Sequence, residues 1–581
     1  MAFSLSKRLH ARRGPWLAAL LAVTLALPAL AAGRQLDDDL LFATLRASAP
    51  AAPTALNRLF ALMGGDAAHA QAQMNSGFYP WWTLPTAQVA FWRPAAAFTH
   101  WLDFRLWPAV PALMHAHSLV YFALLVAAAA GLYRTVADQH PPAPASAALA
   151  ALLYAVDDAH GFGAAWLANR NGLLAALFAT LALIAHLRWR RDGWRPGVWL
   201  SIALLALALL SNEGAAAGLG YWLAAAVFLE TGRWTNRLRA LLPALAVIAL
   251  WRTTYTALGY GQWGTTYVDP AREPLAFLSA LARHGPVLLL GQWLLPPAEV
   301  APFLTGAARL GLWLFAVTAL VVLALWLWPV VARSATARFW GAGMLLAAAL
   351  PAGGALPANR LLFIAGLGAC GLLAEGLNAP PAPQAWRRVV RGTLLVVHLG
   401  LAPLLLPLTA FSPALLGGLA PAAAALPAGP ELAAQTVIVV SAPSFAHATY
   451  LPLLREQHGL PAPTRVRGLA TGLGAVTVTR ADAATLTLTP ADGFITGFDG
   501  VFRGPAHPLP VGALIDLGDL QVTILAQRSD GHPAAAAFRF AHALEDPGYV
   551  WVTWQARGYA PWTPPPIGAT TTLPAQLSST P

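Results

Sequence analysis

Long apolar segments, separated by short polar stretches, constrain this chain more than any other feature of its sequence. A helix that crosses a bilayer needs about 20 apolar residues, and the sequence holds about eleven segments of that character. Of the 581 residues, 57% are hydrophobic and only 10% are charged, whereas a soluble domain carries about 25% charged residues. The chain is therefore predicted to be an α-helical polytopic membrane protein. The apolar segments lie near residues 16–32, 112–133, 145–157, 171–187, 197–211, 214–229, 238–258, 308–332, 338–356, 361–378 and 392–411.

Clusters of basic residues all fall on one side of the membrane if every one of these segments crosses it. Cytoplasmic loops are enriched in Lys and Arg, so we expect that side to be the cytoplasm. The N-terminus then lies inside, while the loop 33–111 and everything after residue 411 lie in the periplasm. The net charge of +11 is scattered along the chain, which argues against a nucleic-acid partner. The clusters are Lys7, Arg8, Arg12 and Arg13; Arg188, Arg190, Arg191 and Arg195; Arg233, Arg237 and Arg239; Arg333 and Arg338; and Arg387, Arg388 and Arg391.

Two apolar stretches allow a second interpretation. Segment 1–32 has a basic start, an apolar run and Ala29-Leu30-Ala31, which is also typical of a cleaved signal peptide. We interpret it as a retained helix, and either interpretation leaves residue 33 outside the cytoplasm. The stretch 286–297 is bracketed by prolines and is too short to span, so we expect an interfacial or re-entrant segment there.

The composition changes after the last apolar segment. Residues 412–432 are rich in Ala, Pro and Gly and are predicted to form a linker after the membrane domain 1–411. From 433 to 568, β-branched and aromatic runs are separated by Gly, Pro and Asp, which predicts a β-rich extracytoplasmic domain, most simply a sandwich. The Thr/Pro-rich tail 569–581 is expected to be disordered.

Three adjacent carboxylates, Asp37, Asp38 and Asp39, follow the first apolar segment on its outer side. Neighbouring carboxylates repel one another, which raises at least one pKa or recruits a cation. One of them could act as the general base that deprotonates a hydroxyl acceptor, and the cluster could hold a divalent cation. The alternative is the solvated, charged flank of a helix. Cys370 is the only cysteine, so no disulfide or Cys-based metal site can form within the chain.

Two further clusters lie at predicted outer ends of helices. Arg93 and Asp103 stand among aromatic residues, a combination that suits a lipid headgroup or a phosphate; an interfacial helix without a ligand fits equally well. The stretches 157–160 and 169–171 place ionisable residues at a membrane boundary, where they are functional candidates. The alternative for the second stretch is helix capping by Asn171.

Four stretches, in order along the chain, carry motifs of one family. Phe91-Trp-Arg-Pro94 with the residues up to His117 resembles "F-R-P-L … D-Y-x-L-W-G … H-x-x-N", and 156–170 resembles "V-H-P-V-H-x-E-A-V-x-x-x-x-G-R". Leu209–Glu213 resembles "L-S-K-E", and Asn359–Phe363 resembles "E-R-x-L-Y". These motifs are those of the GT-C glycosyltransferases, and within them of the transmembrane-and-tetratricopeptide O-mannosyltransferases and their bacterial relatives. The resemblance covers about residues 1–411.

The resemblance implies an inverting enzyme that transfers a sugar from a polyprenyl-phosphate donor to an extracytoplasmic acceptor. It implies a catalytic carboxylate just after the first helix, which is the position of Asp37, Asp38 or Asp39. An arginine (Arg93, Arg170 or Arg360) would hold the lipid phosphate, and the β-rich domain would bind or position the acceptor. The resemblance to bacterial proteins implies that the membrane is a bacterial inner membrane. The residues assigned to substrate binding, with no metal ligand among them, are Arg93, Asp103, His160, Asn169, Arg170, Glu213 and Arg360.

This chain departs from the family motifs at several positions. Asp157-Asp158 replaces the first His-Pro, Phe162 replaces the Glu, and Asn212 replaces the Lys of "L-S-K-E". The tetratricopeptide repeats are missing, and the β-rich domain takes their place. These departures favour an alternative hypothesis, in which the chain is a non-catalytic assembly protein that binds an envelope partner through that domain. A lipid or polymer transporter is a third hypothesis.

Overall fold

A computed structural model describes residues 13–47, 53–137, 144–380, 383–415, 419–426 and 429–576. The basic residues Lys7, Arg8 and Arg12 lie outside these ranges, as do the end of the tail and parts of the predicted linker. The chain divides into two compact units. The helical unit comprises residues 1–60, 91–259 and 270–415, and the β-rich unit comprises 61–90, 260–269 and 416–581.

The helical unit contains most of the helices. They are α1 (Gly14–Ala26), α2 (Asp37–Ala47), α3 (Pro53–Arg58), α4 (Ala67–Ser76, in the β-rich unit), α5 (Pro94–Leu106), α6 (Pro111–Ala137), α7 (Pro144–Val156), α8 (Ala159–Ala165), α9 (Arg170–Asp192), α10 (Pro196–Ser211), α11 (Leu219–Phe228), α12 (Trp234–Arg239), α13 (Leu242–Ala257), α14 (Pro274–Trp293), α15 (Gly306–Arg333), α16 (Ala335–Gly354), α17 (Phe363–Asn378), α18 (Ala385–Leu395) and α19 (Ala402–Leu415). A 3₁₀ turn, Leu27–Ala31, extends α1, and a π-helical turn, Val396–Leu401, joins α18 to α19.

Seven stretches of helix within the described residues are long and apolar enough to cross a membrane. Three shorter apolar helices, Ala145–Val156, Pro196–Ser211 and Phe363–Asn378, coincide with other segments found in the sequence. The prediction of a polytopic, mainly helical membrane protein is thus confirmed. The seven stretches are Gly14–Ala31, Pro111–Ala137, Leu167–Asp192, Trp234–Ala257, Pro274–Trp293, Gly306–Arg333 and Ala385–Ala425.

The structure extends the segment predicted at 286–297. These residues were expected to form an interfacial or re-entrant segment; α14 holds 286–293, but it begins earlier, at Pro274, and has 20 residues. Pro286 lies inside this helix and does not end it, although a proline there removes one backbone N–H from the helical hydrogen bonds. The helix is long and apolar enough to cross a membrane, and its interfacial or re-entrant placement stays a prediction.

Small residues let the helices of this unit approach closely. A Cβ on Gly371 would lie 2.5 Å from the ring of Trp340, and one on Gly368 would lie 2.4 Å from the carbonyl oxygen of the same residue. Buried tyrosines join the helices by hydrogen bonds, such as the one from Tyr133 to the carbonyl oxygen of Leu367. Close packing and interhelical hydrogen bonds are the forces that hold helices together where no water is present.

The β-rich unit contains three sheets. Strands β1 (Ala61–Gly64), β2 (Gln88–Ala90) and β3 (Gly261–Trp263) form a small antiparallel sheet in that order. The other strands are β4 (Thr436–Ala442), β5 (Arg465–Thr471), β6 (Val476–Arg480), β7 (Thr485–Pro490), β8 (Leu514–Asp516), β9 (Leu520–Gln527), β10 (Pro533–Phe540), β11 (Tyr549–Gln555), β12 (Gly558–Pro561) and β13 (Thr570–Leu573). They form a six-stranded sheet, β13-β6-β7-β10-β9-β8, and a four-stranded sheet, β12-β11-β4-β5.

The β-rich fold predicted for the C-terminal region is confirmed, but its boundaries differ from 433–568. Strand β4 pairs in parallel with both β5 and β11, and the helices α21 (Ala446–Thr449) and α22 (Leu451–Gln457) form the crossover between β4 and β5. Parallel neighbours need such a crossover, which a purely antiparallel sandwich lacks.

Two regions expected to lack regular structure contain ordered elements. The predicted linker 412–432 holds the end of α19 and a short helix, α20 (Leu419–Ala425). The predicted disordered tail contains β13, which pairs antiparallel with β6. Its threonines favour a strand, and the unpaired edge of β6 supplies the partner that the sequence alone does not reveal.

The β-rich unit also incorporates part of the first loop. Trp81 and Trp82 are 3% and 1% exposed, and Trp81 packs edge-to-face on Phe494 and Phe538. Arg503 donates hydrogen bonds to the backbone carbonyls of Trp82 and Thr83, at 2.7 and 3.2 Å. Segment 61–90 therefore belongs to the core of this unit, although it is far away in sequence.

Candidate active site

The acidic triplet lies at the first turn of α2, just after the first candidate span. The chain reverses between the two through Gly33 and Leu36, whose φ angles are +72° and +51°. A positive φ is unfavourable for leucine, and local hydrogen bonds hold this turn in place. The side chain of Asp38 accepts one from the backbone N–H of Gln35 at 2.9 Å, in the manner of the acidic residue of a capping box. The amide of Gln35 donates to the carbonyl oxygen of Ala32 at 2.7 Å.

Asp38 is the buried member of the triplet. Only 5% of it is exposed, and its second carboxylate oxygen accepts a hydrogen bond from the backbone N–H of Ala168 at 2.6 Å. Burial raises the pKa of Asp38 well above its usual value, and the charges of Asp39 and Asp37 raise it further, against the lowering effect of the two backbone hydrogen bonds. A buried carboxyl with a raised pKa is suited to proton transfer near neutral pH.

The other two carboxylates point to different surroundings. Asp37 is exposed, whereas Asp39 forms an ion pair with Arg34, with 3.1 Å between Nε and Oδ1. Within the ranges that the structure describes, no group of three or more His, Cys, Asp or Glu side chains is arranged to hold a metal ion. Asp38 and Asp39 thus have different partners within the protein.

A cavity lies against Asp38 in the helical unit. Its empty volume, which includes the part open to solvent, is ≈ 330 Å³. Its polar wall combines acidic, basic and imidazole groups, and its apolar wall comes mainly from α2. The lining residues are Arg34, Asp38, Leu41, Phe42, Leu45, His100, Asp103, Phe104, Met114 and Leu167.

Asp103 enters this cavity from α5, where buried partners fix it on both sides. Its Oδ2 lies 2.5 Å from Nη1 of Arg170, and its Oδ1 lies 2.7 Å from Nδ1 of His117. Beside it, burial and the charge of Arg170 lower the pKa of His100 well below its usual value. His100 is therefore neutral at pH 7, and its ring can accept one hydrogen bond and donate another.

Arg170 is fully enclosed. Besides the ion pair with Asp103, it donates to Oγ of Ser118 at 2.9 Å and to the carbonyl oxygens of Met114 and Thr99 at 2.8 and 3.3 Å. No part of its side chain is exposed to solvent. All of its donor positions point to the protein, so Arg170 orients Asp103 and joins α5, α6 and α9.

Two other predicted residues also pair with each other. Arg93, just before α5, makes a two-point ion pair with Glu213, at 2.9 and 2.5 Å. Its guanidinium group also stacks on the ring of Phe91, 4.1 Å from the centroid. The structure thus brings together Arg93 and Glu213, which are 120 residues apart in sequence.

His160 and Asn169 lie inside the protein. His160 is fully buried, and its ring stacks on that of Phe363 at 5.1 Å; burial lowers its pKa. The amide of Asn169 donates to the carbonyl oxygen of Gly163 at 3.0 Å. Both side chains hold the segment between α7 and α9, and neither lines the cavity beside Asp38.

Arg360 is half-buried and lies near that segment. Its guanidinium group stacks on Trp166 at 4.8 Å, and the indole N–H of Trp166 donates to the carbonyl oxygen of Gln35 at 3.4 Å. Close to Arg360, burial raises the pKa of Glu299. Burial and the neighbouring carboxylates likewise raise the pKa of Asp158 to about 7.

Three residues of this region were not among the sequence-based assignments. Arg34 and His100 line the cavity with Asp38, and His117 holds Asp103. Arg34 stands only three residues before the triplet, a spacing that could have marked it as a partner. His100 stands in the sequence cluster that contains Asp103, and His117 lies in the stretch that carries the family resemblance, but their contacts depend on how α5 packs on α6.

No family model matches the sequence, and no curated protein matches it. Among solved structures, the chain is similar to the oligosaccharyltransferase of Archaeoglobus fulgidus in its apo form, with a TM-score of 0.40, 11% identity and coverage of 80% of this chain and 66% of that one. For the same archaeal enzyme in complex with an inhibitory peptide and a dolichol-phosphate, the TM-score is 0.38 at 12% identity, and the match covers 80% of this chain and 66% of that one. For the arabinofuranosyltransferase AftD from Mycobacteria, the TM-score is 0.37 at 17% identity, and the match covers 91% of this chain and 40% of that one.

The chain therefore spans less than two thirds of the length of these structures.

Proposed function

We propose that this chain is an integral-membrane glycosyltransferase that moves a sugar from a polyprenyl-phosphate donor to an extracytoplasmic hydroxyl acceptor, with Asp38 as general base. The observation that carries the proposal is the buried carboxylate of Asp38, which lines a cavity directly after the first candidate span. Its raised pKa suits a group that takes up a proton near neutral pH.

In the proposed step, the acceptor hydroxyl oxygen attacks the anomeric carbon of the donor sugar. The bond from that carbon to the phosphate oxygen breaks, and its electron pair stays on the lipid phosphate. The hydroxyl proton passes to the carboxylate of Asp38. One bond forms and one breaks on opposite sides of the anomeric carbon, so the configuration inverts.

The leaving phosphate gains negative charge and needs a cation close to the cavity. Arg34 lines the cavity, and Asp39 holds its Nε, so its two terminal amino groups are the ones suited to a phosphate. Arg360 is the second candidate, because it is half-buried on Trp166. Arg170 and Arg93 are less suitable, since internal carboxylates already bind their guanidinium groups.

The test replaces each residue of the triplet by Asn in a knockout strain complemented with the variant. We expect Asp38→Asn to reduce transfer by about 10²–10⁴-fold, the usual worth of a general base, as read from the envelope glycan profile. Asp37→Asn is the matched control, because it removes the same charge from an exposed position. Full complementation by Asp38→Asn, with normal protein level, would contradict the assignment.

A second candidate is a non-catalytic assembly protein that binds an envelope partner through the β-rich unit. The observation in its favour is that Asp157, which replaces a family histidine, is enclosed and bonded to Gln292 at 2.8 Å. Under this hypothesis all three Asn variants complement fully, while variants that unfold the β-rich unit do not.

A further inference from the structure

Arginines of the helical unit stack on aromatic side chains near the ends of its helices. Arg237 lies over the ring of Trp234 at 4.5 Å, and Arg387 lies over that of Trp386 at 4.8 Å. Trp234 and Trp386 are themselves 53% and 42% exposed. The other pairs of this kind are Arg188 with Trp194, Arg190 with Trp189, and Arg338 with Phe228.

Side-chain contacts show that these pairs share one face of the unit. Arg191, at the end of α9, donates to the carbonyl oxygen of Thr135 near the end of α6, at 3.1 Å. Arg190 pairs with Glu230, just after α11, at 2.5 Å. At the start of α16, Arg338 stacks on Phe228, the last residue of α11.

The remaining helix ends join the same face. Arg387, in the first turn of α18, donates to the carbonyl oxygens of Trp326 and Leu325 in the C-terminal part of α15, at 3.4 and 3.1 Å. Five of the seven candidate spans thus have an end here, at Ala137, Asp192, Trp234, Arg333 and Ala385. We call this surface the arginine face.

The arginine face carries more positive charge than its own acidic residues neutralise. Asp192 pairs with Arg191, and Glu230 pairs with Arg190. Among the described residues, no acidic side chain lies within ion-pair distance of four exposed arginines of this face, which are Arg233, Arg239, Arg333 and Arg338.

We propose that the arginine face binds the phosphate headgroups of anionic phospholipids. The ends of five candidate spans place it at the level where headgroups lie. Exposed tryptophans are typical anchors at that level, and guanidinium groups bind phosphate by two parallel hydrogen bonds. Basic surfaces at helix ends attract anionic lipids. This inference does not depend on the proposed glycosyl transfer.

The experiment compares thermal unfolding of the purified full-length protein in detergent with added phosphatidylglycerol or phosphatidylcholine. We expect phosphatidylglycerol to raise the melting temperature by about 2–4 °C more than phosphatidylcholine does. The triple variant Arg233→Gln, Arg239→Gln, Arg338→Gln should lose most of this difference. About 0.5 M salt should abolish it in the wild type, because salt screens exposed charges.

The matched control removes the same charge from exposed arginines that lie away from this face: Arg105→Gln, Arg283→Gln and Arg309→Gln. This variant should keep the full response to phosphatidylglycerol. A variant with Lys in place of Arg233, Arg239 and Arg338 keeps the charge and should keep most of the response to phosphatidylglycerol. This Lys variant also provides a test of the proposal if the Gln variant does not fold. An equal response to both lipids in the wild type, or equal losses in test and control variants, would overturn the proposal.

Discussion

The carboxylate of Asp38 accepts a hydrogen bond from the backbone N–H of Ala168, with 2.6 Å between the two heavy atoms. The two residues are 130 positions apart, and the contact ties the first turn of α2 to the segment before α9. Arg170, two residues later, binds Asp103, which lines the same cavity as Asp38. A change in the 167–170 segment should therefore affect both acidic groups.

The pH dependence of the activity should report the raised pKa of Asp38. A general base acts only when it is deprotonated, so activity should rise with pH through that pKa, above the range of an ordinary carboxyl. Asp39→Asn removes a nearby negative charge and should lower the pKa of Asp38, which moves the acidic limb of the profile to lower pH. Asp37→Asn should move it less, since Asp37 is the weaker contributor. Identical profiles for wild type and Asp39→Asn would contradict this electrostatic coupling.

Arg170→Lys should reduce stability as well as activity. Lysine keeps the charge but cannot reach Asp103, Ser118 and Met114 together, because it lacks the planar fork. Each buried acceptor left without its hydrogen bond costs about 1–3 kcal/mol, so the melting temperature in detergent should fall clearly. Arg360→Lys is the control: this side chain is half-buried and stacks on Trp166, so its replacement should change activity with little effect on melting. Equal melting temperatures for Arg170→Lys and wild type would argue against the positioning role.

The isolated segment 433–568 should not fold cooperatively on its own. It lacks Trp81 and Trp82, which fill the core of the β-rich unit, as well as β13 at the edge of its larger sheet. From the sequence alone, this segment was expected to form a soluble domain. Circular dichroism melting of 433–576, with and without a fused 61–90 segment, tests the difference. A cooperative transition of the shorter fragment without the fusion would show that the tryptophans are dispensable.

Asp499 should make the β-rich unit less stable as pH rises. Burial raises the pKa of this carboxyl from its usual value of 3.8 to about 7, so the folded state binds a proton that the unfolded state has lost. Stability from this group is complete below about pH 4 and declines as pH increases through 7. Asp499→Asn should make the melting temperature of the unit depend less on pH between about pH 4 and pH 7. The asparagine can still accept a hydrogen bond from the backbone N–H of Phe445 and contact Thr471. The same pH dependence of the melting temperature in the variant and the wild type would refute the prediction.

The sequence by itself determined the membrane architecture of this protein. Apolar length and low charge predict spanning helices because a bilayer offers backbone groups no hydrogen-bond partner, and the described helices follow the predicted segments closely. The acidic triplet was also recognisable from the sequence, because three adjacent charges directly after an apolar segment are expected to lie at the membrane boundary. At 286–297 the sequence suggested that a helix begins at the proline, whereas the helix begins at Pro274 and continues through Pro286.

Only the tertiary structure decided which carboxylate is buried and which arginine is available. Asp37, Asp38 and Asp39 are chemically identical neighbours, and their different surroundings come from Ala168, Arg34 and solvent. Arg170 fits a phosphate motif in the sequence, but the packing of α5 and α6 turns all of its donors inward. Burial and pairing between distant segments have no local sequence signal, since they depend on how helices and strands far apart in the chain come together.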